Sequence, residues 1–312
     1  MFEIVRYTPQ RRDEWNQFVA RSKNGTFLFN RNYMDYHGDR FHDHSLMFYE
    51  HGELLAVLPA HVDGKTFCSH QGLTYGGLIM SDSCRTAMVC DLFRRLNDYL
   101  RAEGFLHIVY RPVPHVFHRL PSEEDLYALF NVCDAQLTGR KVSSVIDLSQ
   151  RLKWNRDRRY GVNKAFANGV SVERSNDWPA FWEVLNTNLM EKYGAHPVHS
   201  LQEMELLASR FPEHIHLYTA EKDGRVVGGT VVYITPMVAH TQYISANQEG
   251  KQLRVMDAVF DELLNRLLWT ARYFDFGTSN EDGGRTLVEP LIYQKEGFGA
   301  RAVCYDTYEW TL

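Results

Sequence analysis

The sequence has no apolar run of 18 residues, the length at which a membrane-spanning helix is predicted, so we expect no membrane span. The opening segment from Met1 to Arg12 is charged and has no apolar core of the kind found in signal peptides. Together the two absences predict a cytoplasmic protein.

Cysteine is scarce, with five residues in a chain of 312, an odd number without any C-x-x-C pair. This usage argues against a disulfide framework or a zinc site and predicts reduced, mostly buried thiols. His37, His42 and His44 lie close together, but Gly38 interrupts the regular spacing that a helical metal site needs. We therefore expect a polar loop there and no bound metal.

The chain also lacks an excess of positive charge. Its 34 Lys and Arg residues face 39 Asp and Glu residues, which gives a net charge of −5. General attraction of the whole surface to nucleic acid is therefore not indicated, although a local basic patch remains compatible with this balance.

What the sequence does contain is a repeat. Four features of the first half recur in the second half at offsets of 165 to 172 residues. A length of 312 residues also suits about two domains. We predict two similar domains, residues 1–145 and 146–312, with a ligand held in a groove between them. The paired features are Trp15 and Trp182, the turns at Gly52 and Gly224, Phe93 and Phe260, and Tyr110 and Asp275.

Local patterns predict the same order of elements in both halves: helix, antiparallel strands with tight turns, helix, strand. Such an order predicts an α+β fold in which each domain is a mostly antiparallel mixed sheet flanked by helices. The main predicted helices are 12–21, 86–101, 178–193, 201–211 and 255–270. The predicted strands are 45–49, 54–60, 65–69, 105–110, 144–148, 170–174, 216–220, 225–234, 238–245, 273–276 and 302–310.

Three stretches point to a known family. The first is Tyr75-Gly76-Gly77-Leu78, and the second is the basic stretch from Trp154 to Gly169. The third is Phe276-Gly277-Thr278-Ser279-Asn280, followed at 291–299 by Leu-Ile-Tyr-Gln-Lys-Glu-Gly-Phe-Gly. In this order they resemble the tandem-domain Fem-type ligases of the GNAT superfamily and related acetyltransferases of cell-surface polysaccharide synthesis.

The resemblance implies an enzyme that transfers an acyl or aminoacyl group to an amine of a cell-envelope sugar or peptide precursor. It also implies a donor, which is aminoacyl-tRNA in the Fem ligases and acyl-CoA in ordinary GNAT enzymes. We expect acyl-CoA by a narrow margin. The alternatives are an aminoacyl-tRNA-dependent ligase of the peptidoglycan-bridge type and a non-catalytic sugar- or peptide-binding protein that has lost its donor site.

Acyl transfer to an amine needs a neutral attacking nitrogen and donors for the tetrahedral oxyanion. The family pattern places Lys295 at the reacting centre as such a donor, although a solvated surface lysine is the alternative. Glu289 is a candidate base, unless it simply begins a helix with Pro290. Phe298 is a candidate stacking partner for the acceptor, unless it anchors the core. Ser279 and Asn280 are polar candidates for substrate binding at a strand end.

The basic stretch is predicted to bind phosphate. On a helix, Arg156 and Arg159 share a face that Asn163 and Lys164 continue. Guanidinium groups suit the phosphates of a carrier-linked amino sugar or peptide, of CoA or of a tRNA end. The alternative is a solvated helix face paired with nearby acids.

The acyl-CoA hypothesis depends on residues 246–254, the loop before a long helix, where backbone N–H groups usually wrap a pyrophosphate. Gln248, Gly250 and Lys251 are the candidate residues. The loop holds one glycine and the acidic Glu249, so the pattern is degenerate. In the first domain the corresponding segment lacks glycine, and only Tyr75 is expected to reach the substrate.

Overall fold

The computed structural model describes residues 2–69, 72–267 and 270–312. By their internal contacts these residues form two compact units. Unit 1 comprises Met1–Val142, Asn280–Leu287 and Val303–Leu312, and unit 2 comprises Ser143–Ser279 and Val288–Ala302. The predicted division at residue 145 into two duplicated domains stays a prediction, because compactness does not measure duplication.

The first part of the chain builds unit 1 from short strands and four helices. The strands are β1 (Phe2–Arg6), β2 (His42–Asp43), β3 (Leu46–Glu50), β4 (Glu53–Leu58), β5 (Ala60–Asp63), β6 (Thr66–Ser69), β7 (Ile79–Met80) and β8 (His107–Tyr110). The helices are α1 (Arg12–Arg21), α2 (Arg31–Met34), α3 (Thr86–Ala102) and α4 (Glu124–Asn131).

The rest of the chain builds unit 2 and returns to unit 1. The strands are β9 (Gln136–Asp147), β10 (Ser171–Ser175), β11 (Ile215–Lys222), β12 (Arg225–Ile234), β13 (Val238–Ala246), β14 (Tyr273–Thr278), β15 (Asn280–Glu281), β16 (Thr286–Leu287) and β17 (Arg301–Thr311). The helices are α5 (Arg156–Ala167), α6 (Trp178–Tyr193), α7 (Leu201–Arg210), α8 (Gln248–Leu253), α9 (Val255–Asp261) and α10 (Glu289–Glu296).

The helix limits follow from local signals. The Asn155 side chain accepts the Arg158 N–H and begins α5, and Asp177 caps α6 in the same way. Ser200 and Glu203 form a reciprocal capping box at α7. Gly194 ends α6 in the left-handed conformation that glycine adopts without steric cost.

Both units combine antiparallel strands with one parallel pair. In unit 1, β1 pairs with β3, β3 with β4, and β5 with β6, all antiparallel, and β6 then pairs in parallel with β8. In unit 2, β10, β11, β12 and β13 pair antiparallel in sequence, and β13 then pairs in parallel with β14. A helix connects the parallel strands in each case, as a crossover requires. The predicted α+β class is confirmed.

Strands β9 and β17 each pair with a strand from a distant part of the chain. Residues 143–147 of β9 pair with β14 in unit 2. Tyr308 to Thr311 of β17 pair with β8 in unit 1. The sequence predicts a closing strand at residues 302–310, and β17 covers these residues.

Each unit has its own apolar core, and the core of unit 2 positions the site. Helix α9 and strands β11 to β14 bury a cluster that includes Phe260, Phe274, Phe276 and Phe298. The predicted helix 255–270 ends earlier than its apolar pattern indicates. A π-helical turn, Glu262–Arg266, follows α9, and the positions 268 and 269 lie outside the described residues.

Candidate functional site

Strands β13 and β14 run side by side for only three residues and then separate. Their last paired residues are His240 and Asp275. Gln242 is an extra residue in the register of β13 against β12, which makes a β-bulge just beyond this point. Gly277 bends β14 with a φ of +76°, a conformation that favours glycine. The sheet of unit 2 therefore opens between these two strands.

Lys295 lies at this opening. It is in the last turn of α10 and is 5% exposed, and its Nζ donates to the carbonyl oxygens of Gly277 at 2.8 Å and Thr278 at 3.0 Å. Burial lowers the pKa of Lys295 to about 8, and the nearby Asp275 carboxylate partly opposes this shift. The ammonium keeps a third proton for a ligand, as an oxyanion donor needs.

A buried carboxylate fixes the geometry below Lys295. Asp275 is fully buried, and its Oδ1 accepts from the Ser143 hydroxyl and from the Gly277 N–H at 2.8 Å. Its Oδ2 lies 2.9 Å from Nδ1 of His240. The carboxylate thus links the strand bend at Gly277 to the imidazole of β13.

Two further polar side chains near the end of the strands lack hydrogen-bond partners within the described structure. They are the hydroxyl of Ser279, which is 1% exposed, and Oε1 of Gln242. Buried polar groups are normally satisfied, so unpaired ones are expected where a ligand or water completes the site. Ser279 was a predicted binding residue, whereas Gln242 was not.

An ion-pair network links helix α5 to α9. Arg158 donates to Asp257 at 2.7 Å and to Asp157, and Arg254 donates to the same two carboxylates. Asp257 is 1% exposed. The helices approach so closely that a methyl group on Gly161 would overlap the Asp257 carboxylate. Acids from a distant part of the chain therefore offset part of the basic stretch.

The same helix borders a cavity of about 600 Å³. Three cationic side chains, from Arg151, Lys153 and Arg159, line it together with the amide of Asn163. Of the predicted phosphate-binding residues, Arg159 and Asn163 line the cavity, whereas Arg156 and Lys164 do not. The remaining lining residues are Leu152, Trp154, Val162, Asp261 and Asn265.

The predicted pyrophosphate loop is a helix. Asn247 caps α8, and its side chain takes the N–H of Gly250, one of the three candidate residues. A side chain at Gly250 would overlap the Val227 carbonyl, so this glycine serves close packing. Lys251 Nζ donates to Asn188. Gln248, the third candidate, is exposed in the first turn of α8.

Four other predicted site residues occupy packed, hydrogen-bonded or exposed positions. Phe298 is 1% exposed and stacks on Phe276, which corrects the stacking role and supports the core alternative. Tyr75 is 3% exposed in unit 1, with its hydroxyl on Thr26. The Asn280 amide bonds to the Val142 N–H and the Gly284 carbonyl. Glu289 is exposed at the start of α10, beside a proline, as the helix-start alternative describes.

A family model matches part of the chain. Residues 149–282 match the family model described as the acetyltransferase (GNAT) domain. The matched segment includes the open strand pair and helix α5, while Lys295 follows it in the chain. No curated protein matches the sequence.

Solved structures extend the likeness over both units. FemX is 13% identical, with a TM-score of 0.70, over 99% of this chain and 97% of FemX. The C-terminal domain of a putative lysylphosphatidylglycerol synthetase from Agrobacterium fabrum is 14% identical, with a TM-score of 0.61, over 96% and 91%. A tandem GNAT protein from the clavulanic acid biosynthesis pathway is 12% identical, with a TM-score of 0.51, over 100% and 98%. The predicted Fem-like tandem GNAT fold is confirmed.

The search for other site types is negative within the described parts of the chain. No helix among residues 2–69, 72–267 and 270–312 combines the length and apolar character needed to cross a bilayer. The same residues contain no group of three or more His, Cys, Asp or Glu side chains that could hold a metal. The side chain of His37 lies outside this description.

Proposed function

We propose that the protein is an acyltransferase that transfers an aminoacyl or related acyl group to an amine of a phosphate-linked cell-envelope precursor. The observation that carries the proposal is the buried ammonium of Lys295, held by the carbonyls of Gly277 and Thr278 where β13 and β14 separate. A cation with one free proton in a site of low polarity is suited to stabilise a developing oxyanion.

The donor we propose is an aminoacyl ester such as aminoacyl-tRNA. Acyl-CoA, which the sequence favours narrowly, is usually held by free amides at the loop before α9, and here Asn247 accepts the N–H groups of Gly250 and Lys251. The Fem ligases that the sequence resembles take aminoacyl-tRNA, and the name of the lysylphosphatidylglycerol synthetase neighbour indicates transfer of an amino acid to a lipid. Acyl-CoA stays the second candidate because of the match to the acetyltransferase model.

A transfer assay tests the donor. The purified protein receives radiolabelled aminoacyl-tRNA or acetyl-CoA, with a panel of phosphate-linked amino sugars and muropeptides as acceptors. We expect label from aminoacyl-tRNA to enter an acceptor, and the Lys251→Met variant to remain fully active. Transfer from acetyl-CoA alone, with a raised KM in Lys251→Met, would reject the ester donor in favour of the second candidate.

The role of Lys295 is tested in the same assay. Lys295→Met removes the oxyanion donor, and the loss of one such donor costs about 100- to 1,000-fold in kcat. Lys251→Met is the matched control, since that lysine belongs to the same unit and lies in α8, away from the carbonyls of Gly277 and Thr278. An unchanged kcat in folded Lys295→Met protein would remove the proposed role.

The cavity beside α5 is the proposed site for the phosphate of the acceptor. Arg159 and Lys153 present unpaired cations to it, and Leu152 and Trp154 supply apolar walls. We expect Arg159→Gln to weaken binding of a uridine diphosphate amino sugar by about tenfold, the value of one charge-assisted contact. Arg156→Gln, on the same helix but outside the cavity, is the control. Equal effects of the two variants in calorimetric titration would contradict a site in this cavity.

A further inference from the structure

His240 and Asp275 form a dyad that the oxyanion role of Lys295 does not use. The imidazole belongs to the last paired residue of β13, and its side chain is 9% exposed. Nδ1 lies 2.9 Å from Oδ2 of Asp275. A methyl group added at Gly277 would lie 3.5 Å from Cε1 of the ring, so one edge of the ring faces the bend of β14.

The surroundings of Asp275 determine the tautomer of the imidazole. Asp275 accepts hydrogen bonds from the Ser143 hydroxyl and the Gly277 N–H on its other oxygen. An ionised carboxylate can only accept hydrogen bonds. If His240 is neutral, its proton must therefore be on Nδ1. The lone pair is then on Nε2, for which the described residues provide no hydrogen-bond partner.

The position of the dyad matches the needs of the transfer reaction. Lys295 bonds to the Gly277 carbonyl, while Asp275 bonds to the Gly277 N–H, so the cation and the imidazole flank the same peptide segment. The Asp275 carboxylate contacts the imidazole directly and also acts on the charge of the Lys295 ammonium. An acid–base group beside an oxyanion donor is the arrangement that acyl transfer to an amine requires.

We propose that His240 is the general base of the reaction and that Asp275 is its positioning residue, an assignment that rests on the proposed acyltransferase function. The amine nitrogen of the acceptor attacks the carbonyl carbon of the ester donor, and the carbonyl electron pair moves to the oxygen beside Lys295. Nε2 of His240 takes one proton from the attacking nitrogen. As the ester C–O bond breaks, the imidazolium returns that proton to the departing hydroxyl, and an amide remains.

The test compares His240→Ala, His240→Gln and Asp275→Asn with the wild type in the transfer assay, with and without added imidazole. A general base contributes about 100- to 10,000-fold, so we expect kcat of His240→Ala to fall by at least 100-fold with little change in KM. Imidazole should restore part of the rate, and the remaining activity should lose the acidic limb of its pH profile. Asp275→Asn should lower kcat less and shift that limb.

A histidine elsewhere in the sheet of unit 2 provides the control. His216 is part of β11 and bonds to the Pro212 carbonyl, so His216→Gln should retain full kcat. Thermal melts of every variant show whether the fold is intact. A folded His240→Gln protein with wild-type kcat would refute the role of His240 as general base. A fall in the kcat of His240→Ala that imidazole does not restore would refute it as well. Failure of the wild type to transfer from any donor would instead remove the proposed function, and the base with it.

Discussion

Removal of the Arg158 guanidinium is the sharpest test of how this site is held together. Arg158 is 9% exposed, and its Nη1 donates to Oδ1 of Asp257 at 2.7 Å. The Arg158→Met variant keeps most of the side-chain volume and removes the charge. Asp257, which is 1% exposed, then retains Arg254 as its remaining cation, through a bond of 2.7 Å to Oδ2.

The expected cost follows from the burial of the carboxylate. Breaking a buried ion pair by removal of one partner costs about 3–5 kcal/mol. Because Arg254 remains, we expect a value near the lower end, about 3 kcal/mol. For domains of this size each kcal/mol lowers the melting temperature by roughly 2–4 °C, so the variant should melt about 6–12 °C below the wild type.

The loss should also depend on pH. Burial raises the pKa of Asp257, while Arg158 and Arg254 oppose the rise. Without Arg158 the pKa of Asp257 in the folded state rises further. Between the ordinary carboxyl pKa and this raised pKa, the folded state therefore binds more protons than the unfolded state. Stability then falls as pH increases. The destabilisation by Arg158→Met should therefore be smaller at pH 5 than at pH 8.

Denaturant titration of a double-mutant cycle provides the assay. Asp257→Asn removes the carboxylate charge, and the double variant Arg158→Met with Asp257→Asn should be more stable than Arg158→Met alone. Arg156→Met, an exposed change on the same helix, is the control and should cost less than about 0.5 kcal/mol. Strictly additive single effects, or a pH-independent loss, would refute a buried pair as the link between α5 and α9.

Two remaining predictions concern packing and pH. Gly161→Ala should destabilise the protein by about 1–3 kcal/mol in denaturant titration although alanine favours helices, because its methyl group would overlap Asp257; a stabilised variant would contradict the close approach. Burial lowers the pKa of Lys295 to about 8, so transfer that needs the cation should decline as pH rises through 8. Between pH 8 and the ordinary lysine pKa, the folded wild type binds fewer protons than its unfolded state. In this pH range, the stability of the wild type relative to Lys295→Met should therefore rise with pH. A flat difference between the two proteins would contradict the buried ammonium.

Local features were predictable because their causes are local. The spacing of apolar residues predicts α1 and α6 with their observed limits. Asp223-Gly224 predicts its tight turn, and both residues have positive φ. Lys295 was found through the resemblance, since a lysine beside a glutamate gives no sign in sequence that it is buried.

Other features of the site depend on contacts between residues that are distant in sequence. Asp257 lies 99 residues from Arg158, and His240 lies 35 residues from Asp275, so no window of sequence pairs them. The helical conformation of the predicted CoA loop has a related cause. An asparagine cap and close packing against Val227 convert that segment into α8, and neither is visible in the count of glycines.

The sequence alone predicted the α+β order of elements, because periodicity, caps and tight turns act over a few residues. It also determined which residue types were available for acyl transfer. Only the tertiary structure decided which of them are buried, paired or free. Lys295, Asp275 and His240 come together where β13 separates from β14. Where α5 packs on α9, Arg158 of the basic stretch forms a buried ion pair, whereas Arg159 lines the cavity. Burial and long-range pairing set charge and pKa, and both depend on the folded chain.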